Sequence, residues 1–286
     1  MSAFPTPRVR IAWPLVVARA AEIVESYDTG VTLRQLFYRL VSELVIPNTT
    51  NAYKELSRHT ATARREGDFP ALIDQGRSVE RPPFFDGPED ALALLRRWYR
   101  RDRTEGQPHV LYLGVEKAGI VEQLSAWFGD ERGLPIVALK GYSSQTLVDE
   151  VADEIVNDGR PAVLIYAGDF DPTGEDVDRD FVERVAEFDE VRRIALSAEQ
   201  VDEYDLPSLP GKETDSRAAA FEARHGRLVQ VELDALDPDD LRDLYAAAIA
   251  DYWAGDAFAA VREQERQERA RLGFPDTSES TEEPTT

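Results

Sequence analysis

The chain has 286 residues, of which 42% are hydrophobic, and a formal net charge of −22. This length and composition are typical of a globular protein with one large core or two ordinary ones. The chain has no cysteine, which excludes disulfide frameworks, zinc–thiolate sites and thiol nucleophiles. Its apolar runs fall short of the roughly 20 residues that a membrane helix needs, so we expect no membrane partner and a cytoplasmic location.

The charge is unevenly distributed along the chain. Residues 1–104 contain 16 Lys or Arg against 13 Asp or Glu, whereas residues 105–286 contain 17 against 42. Non-specific nucleic-acid binding depends on neutralising phosphates with basic side chains, so the acidic total argues against a general nucleic-acid binder. The slightly basic first part still permits a DNA contact there.

The first part of the chain predicts helices joined by tight turns. The run IAWPLVVARA and the following AAEIVESY have the apolar spacing of one amphipathic helix. Thr32, with Gln35 three residues later, predicts a capping box that opens a second helix ending near Leu44. Thr49 or Thr50 caps a third helix, which stops at Gly67.

Three helices of which the third is basic favour a winged-helix-like DNA-binding domain over residues 1–104. The side chains that we expect to face DNA lie on the third helix and are Lys54, Arg58, Arg64 and Arg65. A solvated basic helix face would have the same composition, so the charge alone leaves both interpretations open.

The sequence pattern changes near residue 105, after the linker-like stretch TEGQP. Buried-strand runs then alternate with amphipathic helices, and the strands are HVLYLGVE, PIVALKG, PAVLIYAGDFD and VRRIALS. Such alternation is typical of a parallel α/β sheet, which we place at residues 105–200. Residues 201–271 are predicted to be mostly helical, and the polar residues 272–286 to form a disordered tail.

Acidic side chains follow two of the predicted strands, Glu116 after the first and Asp169 and Asp171 after the third. The carboxyl ends of parallel strands gather at one edge of a sheet, and carboxylates at close range raise one another's pKa. A Mg²⁺ ion bound by these three side chains would relieve the repulsion and favour a phosphate substrate. Two alternatives stay open, a calcium loop of the D-x-D-x-x-G kind and simple helix capping.

Tyr38 lies on the second predicted helix, in TLRQLFYRLV. At about 100° per residue it falls away from the centre of the apolar side and close to Arg34, four residues earlier. A guanidinium at that position can hold a phosphate or stabilise a phenolate, and a phenol with a pKa near 10 is a poor nucleophile without such assistance. Geometry alone leaves a purely structural role for Tyr38 open.

Three stretches carry a resemblance to a known family. VEKAG and DFDPTG resemble the acidic motifs of the Toprim domain of topoisomerases, primases and related nucleases. TLRQLFY resembles the T-x-R-x-x-Y-Y motif of the topoisomerase VI A subunit and its meiotic double-strand-break relative, in which a winged-helix domain precedes the Toprim domain. The likeness covers about residues 30–200 and is greatest to the compact bacterial and phage Toprim proteins. Phe37 departs from the family's first tyrosine, and Tyr38 matches its nucleophile.

The resemblance implies a Mg²⁺-dependent tyrosine transesterase that cleaves and rejoins DNA, an isomerase of the type IIB topoisomerase A-subunit kind associated with the nucleoid. Tyr38 would attack the phosphodiester, Glu116 would bind metal or relay a proton, and Asp169 and Asp171 would hold Mg²⁺. In that family the tyrosine of one subunit acts with the acids of another, which implies a homodimer. The chain lacks a G-x-x-x-x-G-K-[ST] phosphate loop, so an ATPase would be a separate subunit.

Two rival hypotheses use the same residues differently. A Toprim nuclease would cut DNA with metal-activated water and leave Tyr38 idle, and a non-catalytic subunit would only bind DNA within a larger complex. Further candidate DNA contacts are Lys117, Lys140, Arg77 and Arg81.

Overall fold

The computed structural model describes residues 11–73, 82, 84–211 and 214–271. The candidate DNA contacts Arg77 and Arg81 and the predicted tail, residues 272–286, lie outside the described residues. Within the described part, no helix has the length and apolar character needed to cross a membrane.

The described residues of the first part of the chain form four helices, and the periodicity predicted the first three. Their bounds are Trp13–Ser26 for α1, Leu33–Ser42 for α2, Thr50–Glu66 for α3 and Pro88–Trp98 for α4. Helices α1, α2 and α3 pack on one another. The winged-helix interpretation of this arrangement stays a prediction.

The predicted helix caps are confirmed. The Gln35 amide N–H donates to Thr32 Oγ1 at 3.2 Å, and the Thr32 N–H donates to Gln35 Oε1 at 2.9 Å, so the capping box that opens α2 is complete. Thr49 accepts from the N–H of Ala52 at the start of α3. Helix α3 ends at Gly67, whose φ of +83° is the left-handed conformation that glycine adopts without strain.

A four-stranded parallel sheet follows, and all four predicted strands are present. The strands are β1 Val110–Val115, β2 Ile136–Ala138, β3 Ala162–Ala167 and β4 Glu190–Ala195. Their order in the sheet is β2-β1-β3-β4. Strands β1 and β3 are buried throughout, as expected for the centre of a sheet covered on both faces.

Helices connect the strands and cover the sheet. Between β1 and β2 lie a 3-10 turn, helix α5 Val121–Leu124, a π-helical turn and helix α6 Asp130–Arg132. Helix α7 is Gln145–Asp158 and helix α8 is Gly174–Val185. The structure is therefore a mixed α/β fold with a parallel sheet flanked by helices, which confirms the predicted fold class at that level.

The last part of the chain is mostly helical, as predicted, with one small sheet that was not predicted. Its helices are α9 Ala198–Glu203, α10 Ala218–His225, α11 Pro238–Ala250 and α12 Gly255–Arg271. Strands β5 Leu209–Pro210 and β6 Val229–Gln230 pair antiparallel. A bridge between Phe170 and Val231 brings the end of β6 beside the end of β3.

Two clusters of buried apolar side chains lie on the two faces of the sheet. One cluster packs helices α7 and α8 against the sheet through residues such as Val148 and Phe181. The other cluster is continuous from α1, α2 and α3 to α11 and contains Leu36 and Tyr245, whose hydroxyl donates to the carbonyl of Gly114 at 2.6 Å. Helix α2 shares this core with the sheet, and Tyr38 belongs to the same cluster of buried side chains.

Candidate functional site

The predicted acids Glu116 and Asp169 meet at the carboxyl edge of the sheet. Each follows the end of a central strand, β1 for Glu116 and β3 for Asp169, and these strands are neighbours. The Asp169 N–H donates to Glu116 Oε2 at 2.9 Å. Glu116 therefore faces Asp169, as the parallel topology predicts.

Asp171 is held in a different way. Its Oδ1 accepts from the N–H of Gly174, the first residue of α8, at 2.7 Å. This is the helix-start role that the sequence left open for the aspartates. A side chain at Gly174 would place its Cβ 2.5 Å from the Asp169 carbonyl oxygen, so the chain between these two aspartates can turn this tightly only with glycine there.

Lys117 lies inside the acid cluster. Its Nζ donates to Asp169 Oδ2 at 2.5 Å and to Glu232 Oε2 at 2.9 Å, and it lies 3.9 Å from Glu116 Oε1. Burial alone would lower the pKa of Lys117, but the carboxylates of Asp169 and Glu232 raise it above its usual value. Lys117, which the sequence analysis assigned to DNA contact, thus pairs with the acids of the cluster. Its side chain is 21% exposed.

Two acids of the site, Glu232 and Asp234, were missed by the sequence analysis. They lie directly after β6, where the 3-10 turn Leu233–Ala235 begins, and the N–H of Leu233 donates to Asp169 Oδ1 at 2.8 Å. Asp234 is 2% exposed, and its Oδ2 has no hydrogen-bond partner among the described residues.

Burial is the main cause of the altered acidity of these carboxyl groups. It raises the pKa of Asp234 to about 6, while the charges of Lys117 and Arg34 act in the opposite direction. Burial also raises the pKa of Asp169, and the nearby charges of Glu116 and Glu232 add to the effect, against the influence of Lys117. Four carboxyl groups, those of Glu116, Asp169, Glu232 and Asp234, share two cations, Lys117 and Arg34.

Arg34 joins helix α2 to the acid cluster. Its guanidinium pairs with Glu232 and lies 3.7 Å from Asp234 Oδ2. Glu232 in turn binds Lys117. A continuous set of charged contacts therefore runs from α2 to the ends of β1 and β3, all within one chain.

Tyr38 lines a cleft of about 360 Å³ next to this set of contacts. The cleft is formed by helix α2, the start of α3, β5 and the turn after β6, and its lining residues are Arg34, Phe37, Tyr38, Asn48, Thr49, Thr50, Tyr53, Leu209 and Glu232. Tyr38 itself is 6% exposed. Burial and the charge of Glu232 raise the pKa of Tyr38, whereas the charge of Arg34 and its hydrogen bond to the phenol lower it.

Phe37, which replaces the tyrosine expected from the resemblance, has a packing role. It is 4% exposed, and its ring meets those of Tyr38 and Tyr53 edge to face, each with 5.3 Å between ring centres. Such contacts fix the orientation of the Tyr38 ring at the wall of the cleft.

The basic side chains predicted on the third helix are exposed. Lys54, Arg58, Arg64 and Arg65 all lie on the solvent side of α3, and Arg58 pairs with Glu55 at 2.6 Å. Lys140 is also exposed, after β2. The N–H of Lys140 donates to the carbonyl oxygen of Glu116 at 3.1 Å, so its backbone adjoins the acid cluster, whereas Arg34 and Lys117 form ion pairs within that cluster.

The carboxylates of the site are oxygen ligands of the type that Mg²⁺ prefers. Among the residues that the structure describes, no three His, Cys, Asp or Glu side chains form a group arranged to hold a metal ion, so Glu116, Asp169 and Asp171 do not form the predicted three-carboxylate set here. Mg²⁺ commonly binds only one or two carboxylates, together with water and substrate phosphate oxygens. Glu116 and Asp169 are the facing pair of carboxylates, but Asp169 Oδ1 accepts from the N–H of Leu233 and Asp169 Oδ2 from Lys117, so a Mg²⁺ ion bound there would have to displace Lys117.

A scan of the chain against models of known protein families found no match, and a search of curated proteins found no similar sequence.

Proposed function

We propose that this protein is a Mg²⁺-dependent enzyme that cleaves and rejoins DNA through Tyr38. One observation carries the proposal: Arg34 pairs with Glu232, which binds Lys117, which binds Asp169, and Arg34 and Glu232 line the same cleft as Tyr38. A hydroxyl group, one cation and one carboxylate thus line the cleft, and the second cation, Lys117, and the carboxylate of Asp169 are linked to them through Glu232. Phosphodiester transesterification needs these groups.

In the proposed reaction the Tyr38 oxygen forms a bond to the phosphorus of a DNA phosphodiester. The bond from phosphorus to the 3′ oxygen breaks, which leaves a phosphotyrosyl bond on one fragment and a 3′ hydroxyl on the other. Glu232 accepts the phenol proton, and the departing 3′ oxygen takes up a proton relayed through Glu116. Reversal of the same steps rejoins the strand, because the phosphotyrosyl bond conserves the energy of the broken bond.

The cations of the site have distinct roles in this proposal. Arg34 holds the non-bridging phosphate oxygens and stabilises the phenolate. Lys117, now bound by carboxylates, supplies a second positive charge to the phosphate. Mg²⁺ bound by Glu116 and Asp169 would offset the charge that develops on the phosphate in the transition state.

The proposed assembly is a homodimer on DNA. One chain offers one Tyr38, so two chains are needed to cut both strands of a duplex. The exposed basic side chains of α3 are proposed to hold the DNA backbone beside the cleft. An ATPase, where one takes part, is proposed to be a separate subunit, since this sequence has no phosphate loop.

A second candidate function is cleavage by water at the same acids. It is favoured by the low exposure of Tyr38, 6%, and by the raised pKa of its phenol, both of which oppose nucleophilic attack unless the cleft opens. In this case Glu116 and Asp169 would act through bound metal and Tyr38 would only pack.

The two candidates differ in one covalent product. The protein is incubated with Mg²⁺ and labelled supercoiled DNA, and the reaction is stopped with detergent. The products are then separated, and label that migrates with the protein is measured. Tyr53→Phe is the matched control, because Tyr53 lines the same cleft. We expect a covalent product that Tyr38→Phe abolishes and Tyr53→Phe retains. Cleavage by Tyr38→Phe at the normal rate would instead support water as the nucleophile, and retention of DNA without any cleavage would support a binding subunit.

A further inference from the structure

A groove rich in arginine lies between α4, the segment that follows it, and α12. Its volume is about 760 Å³. Six arginines line it, and they are Arg97, Arg100, Arg103, Arg262, Arg266 and Arg269. Only two acidic side chains, Glu263 and Glu265, share the lining. This is a strongly positive surface on a chain whose net charge is −22.

The arginine groove lies at the opposite end of the sheet from the acid cluster. Arg100 donates to the carbonyl oxygen of Asp130 and Arg103 to that of Glu131, both at 2.6 Å. These two residues belong to α6, which precedes β2, so the groove adjoins the amino ends of the strands. Glu116 and Asp169 follow the carboxyl ends. The groove is therefore a separate surface from the Tyr38 cleft.

Two of the arginines have a structural role. Arg103 Nη2 pairs with Glu265 Oε1 at 2.8 Å, with both side chains largely buried, and Arg269 Nη1 donates to the carbonyl of Tyr99 at 2.9 Å. These contacts attach α12 to the segment after α4. They fix the groove's shape without using its remaining positive charge.

Other arginines of the groove present their guanidinium groups to solvent. Arg97 is exposed and makes no hydrogen bond or ion pair with any described residue. Arg262 is also exposed, and its guanidinium carbon lies 5.7 Å from the centre of the Phe258 ring. Unneutralised arginines that are concentrated in a concave surface attract a polyanion.

The arrangement of these side chains points to phosphates rather than carboxylates. Arg262 and Arg266 lie four residues apart on one face of α12, a rise of about 6 Å, and Arg266 pairs with Glu263 at 2.7 Å, so Arg262 of α12 and Arg97 of α4 are the arginines that the groove presents to an anion. Guanidinium groups bind phosphate oxygens in pairs. The Phe258 ring of the lining and Trp98, which follows Arg97 on α4 and is 68% exposed, add aromatic surfaces on which bases can stack.

We propose that the arginine groove binds the phosphate backbone of a nucleic-acid strand. The inference rests on the proposed function in taking nucleic acid as the partner, but it needs no cleavage and no metal. It assigns this chain a second nucleic-acid contact, at the end of the sheet remote from Tyr38. A strand bound in the groove and in the Tyr38 cleft would contact the protein at two separated surfaces.

Binding in the presence of EDTA tests the groove separately from catalysis. The full chain is titrated into a fluorescent single-stranded oligonucleotide and, in parallel, into a duplex of the same length, over a range of salt concentrations. The test variant is Arg97→Gln with Arg262→Gln. The charge-matched control is Arg179→Gln with Arg227→Gln, two exposed or half-exposed arginines outside the groove. Thermal unfolding confirms that both variants fold.

We expect the groove variant to bind at least one of the two nucleic acids about ten-fold more weakly, and the control less than two-fold more weakly. With a single strand, the slope of log affinity against log salt should fall by roughly 1.4, since each lost phosphate contact removes about 0.7. The tighter of the two ligands identifies the strand form.

Three results would overturn the inference. The first is an equal loss of nucleic-acid affinity in the groove variant and in the control. The second is a loss of affinity that appears only in a third double variant, Lys54→Gln with Arg64→Gln. That result would assign all of the nucleic-acid binding to α3. The third is a polyglutamate peptide that binds as tightly as the oligonucleotide and is affected equally by the groove variant. Failure of the DNA-cleavage proposal would appear in a different experiment, as the absence of a Tyr38 adduct. It would not alter the binding affinities measured in EDTA.

Discussion

The ammonium group of Lys117 donates to the carboxylate of Asp169 over 2.5 Å, at the edge of the sheet where the sequence predicts a cation between carboxylates. A lysine therefore provides, within the chain, part of the neutralisation that was assigned to Mg²⁺. The contact also explains why Asp169 and Glu232 can lie close together. Removal of Lys117 therefore tests whether these carboxylates need a positive charge between them to keep their positions.

Lys117→Met should destabilise the protein most strongly in EDTA. Removing one partner from a largely buried ion pair costs about 3–5 kcal/mol, because the remaining carboxylates are left without a counter-charge. Mg²⁺ should restore more stability to this variant than to the wild type, since Lys117 no longer competes with it for Asp169. Thermal unfolding with EDTA and with Mg²⁺ measures both effects.

Lys54→Met is the control, because Lys54 is exposed on α3, and its unfolding temperature should barely change. A Lys117→Met protein that is as stable as the wild type in EDTA would show that the acids are not held in place by this lysine.

Gly174→Ala should disturb the acid cluster through a steric clash. The added Cβ would lie 2.5 Å from the Asp169 carbonyl oxygen and 3.2 Å from its Cβ. Relieving that overlap requires backbone movement at Asp169, and overpacking of this kind costs about 1–3 kcal/mol. Chemical denaturation measures the loss.

Gly255→Ala provides a matched control for this substitution. Gly255 begins α12, and a Cβ there meets nothing within 4 Å, so alanine should be neutral or slightly stabilising. Equal effects of the two substitutions on the free energy of unfolding would mean that the backbone after Asp169 can move to accommodate a Cβ without loss of stability.

The sequence predicted the elements whose signals are local. The buried run before Glu116 and the one before Asp169 each identify a strand, and neighbouring parallel strands necessarily end together. The Thr32 and Gln35 pair identifies a helix start from four residues. These features need no knowledge of distant packing, and the structure confirms them.

The parts that were missed depend on contacts between distant segments. Glu232 and Asp234 follow β6, which has only two residues, too few for a periodic pattern. They reach the site because Val231 pairs with Phe170, about 60 positions earlier. The alternation of apolar and acidic residues in VQVELDALD is the one local signal, and it is typical of a short strand with acids at its end. The position of α2 against this turn is likewise set by packing.

Gln123→Ala should weaken the attachment of α2 to α5, the short helix that carries Gln123. Gln123 is buried, its Oε1 accepts from Gln35 Nε2 at 2.8 Å, and its Nε2 donates to the Gly30 carbonyl at 3.1 Å. Loss of Gln123 leaves a buried amide of Gln35 without a partner, which costs about 1–3 kcal/mol. Hydrogen exchange should show faster opening of α2, and Gln264→Ala, on the exposed side of α12, should leave that exchange unchanged.

Arg217→Ala should lower the stability of the protein above about pH 4, and its difference from the wild type should shrink as the pH falls towards 2. Hydrogen bonds from Tyr142, Arg179 and Arg217 lower the pKa of Asp176 to about 2, and Arg217 lowers the pKa of Asp215 to about 2. Because these values lie below the usual 3.8, the two groups stabilise the fold above about pH 4, and that stability is lost as the pH falls from 4 to 2. In the variant the pKa of both aspartates should return towards the usual value.

Carboxyl chemical shifts followed by NMR from pH 2 to 5 report both pKa values directly, and unfolding over the same range reports stability. Arg227→Ala removes a half-exposed arginine paired with Asp202 and should leave the Asp176 titration in place. A titration of Asp176 that is unaltered in Arg217→Ala would assign its low pKa to Tyr142 and Arg179 alone.

Arg34→Gln should slow formation of the Tyr38 adduct far more than it weakens DNA binding. Arg34 is the group that lowers the pKa of Tyr38 against the effects of burial and Glu232, so its removal makes the phenol a poorer nucleophile and takes a positive charge away from the phosphate. We expect at least a 100-fold lower single-turnover rate, comparable to loss of one group that stabilises transition-state charge. Arg34→Lys retains the charge but lacks the two-pronged geometry, and should recover only part of the rate. An Arg34→Gln enzyme that formed the adduct at the wild-type rate would reduce Arg34 to a structural link between α2 and Glu232.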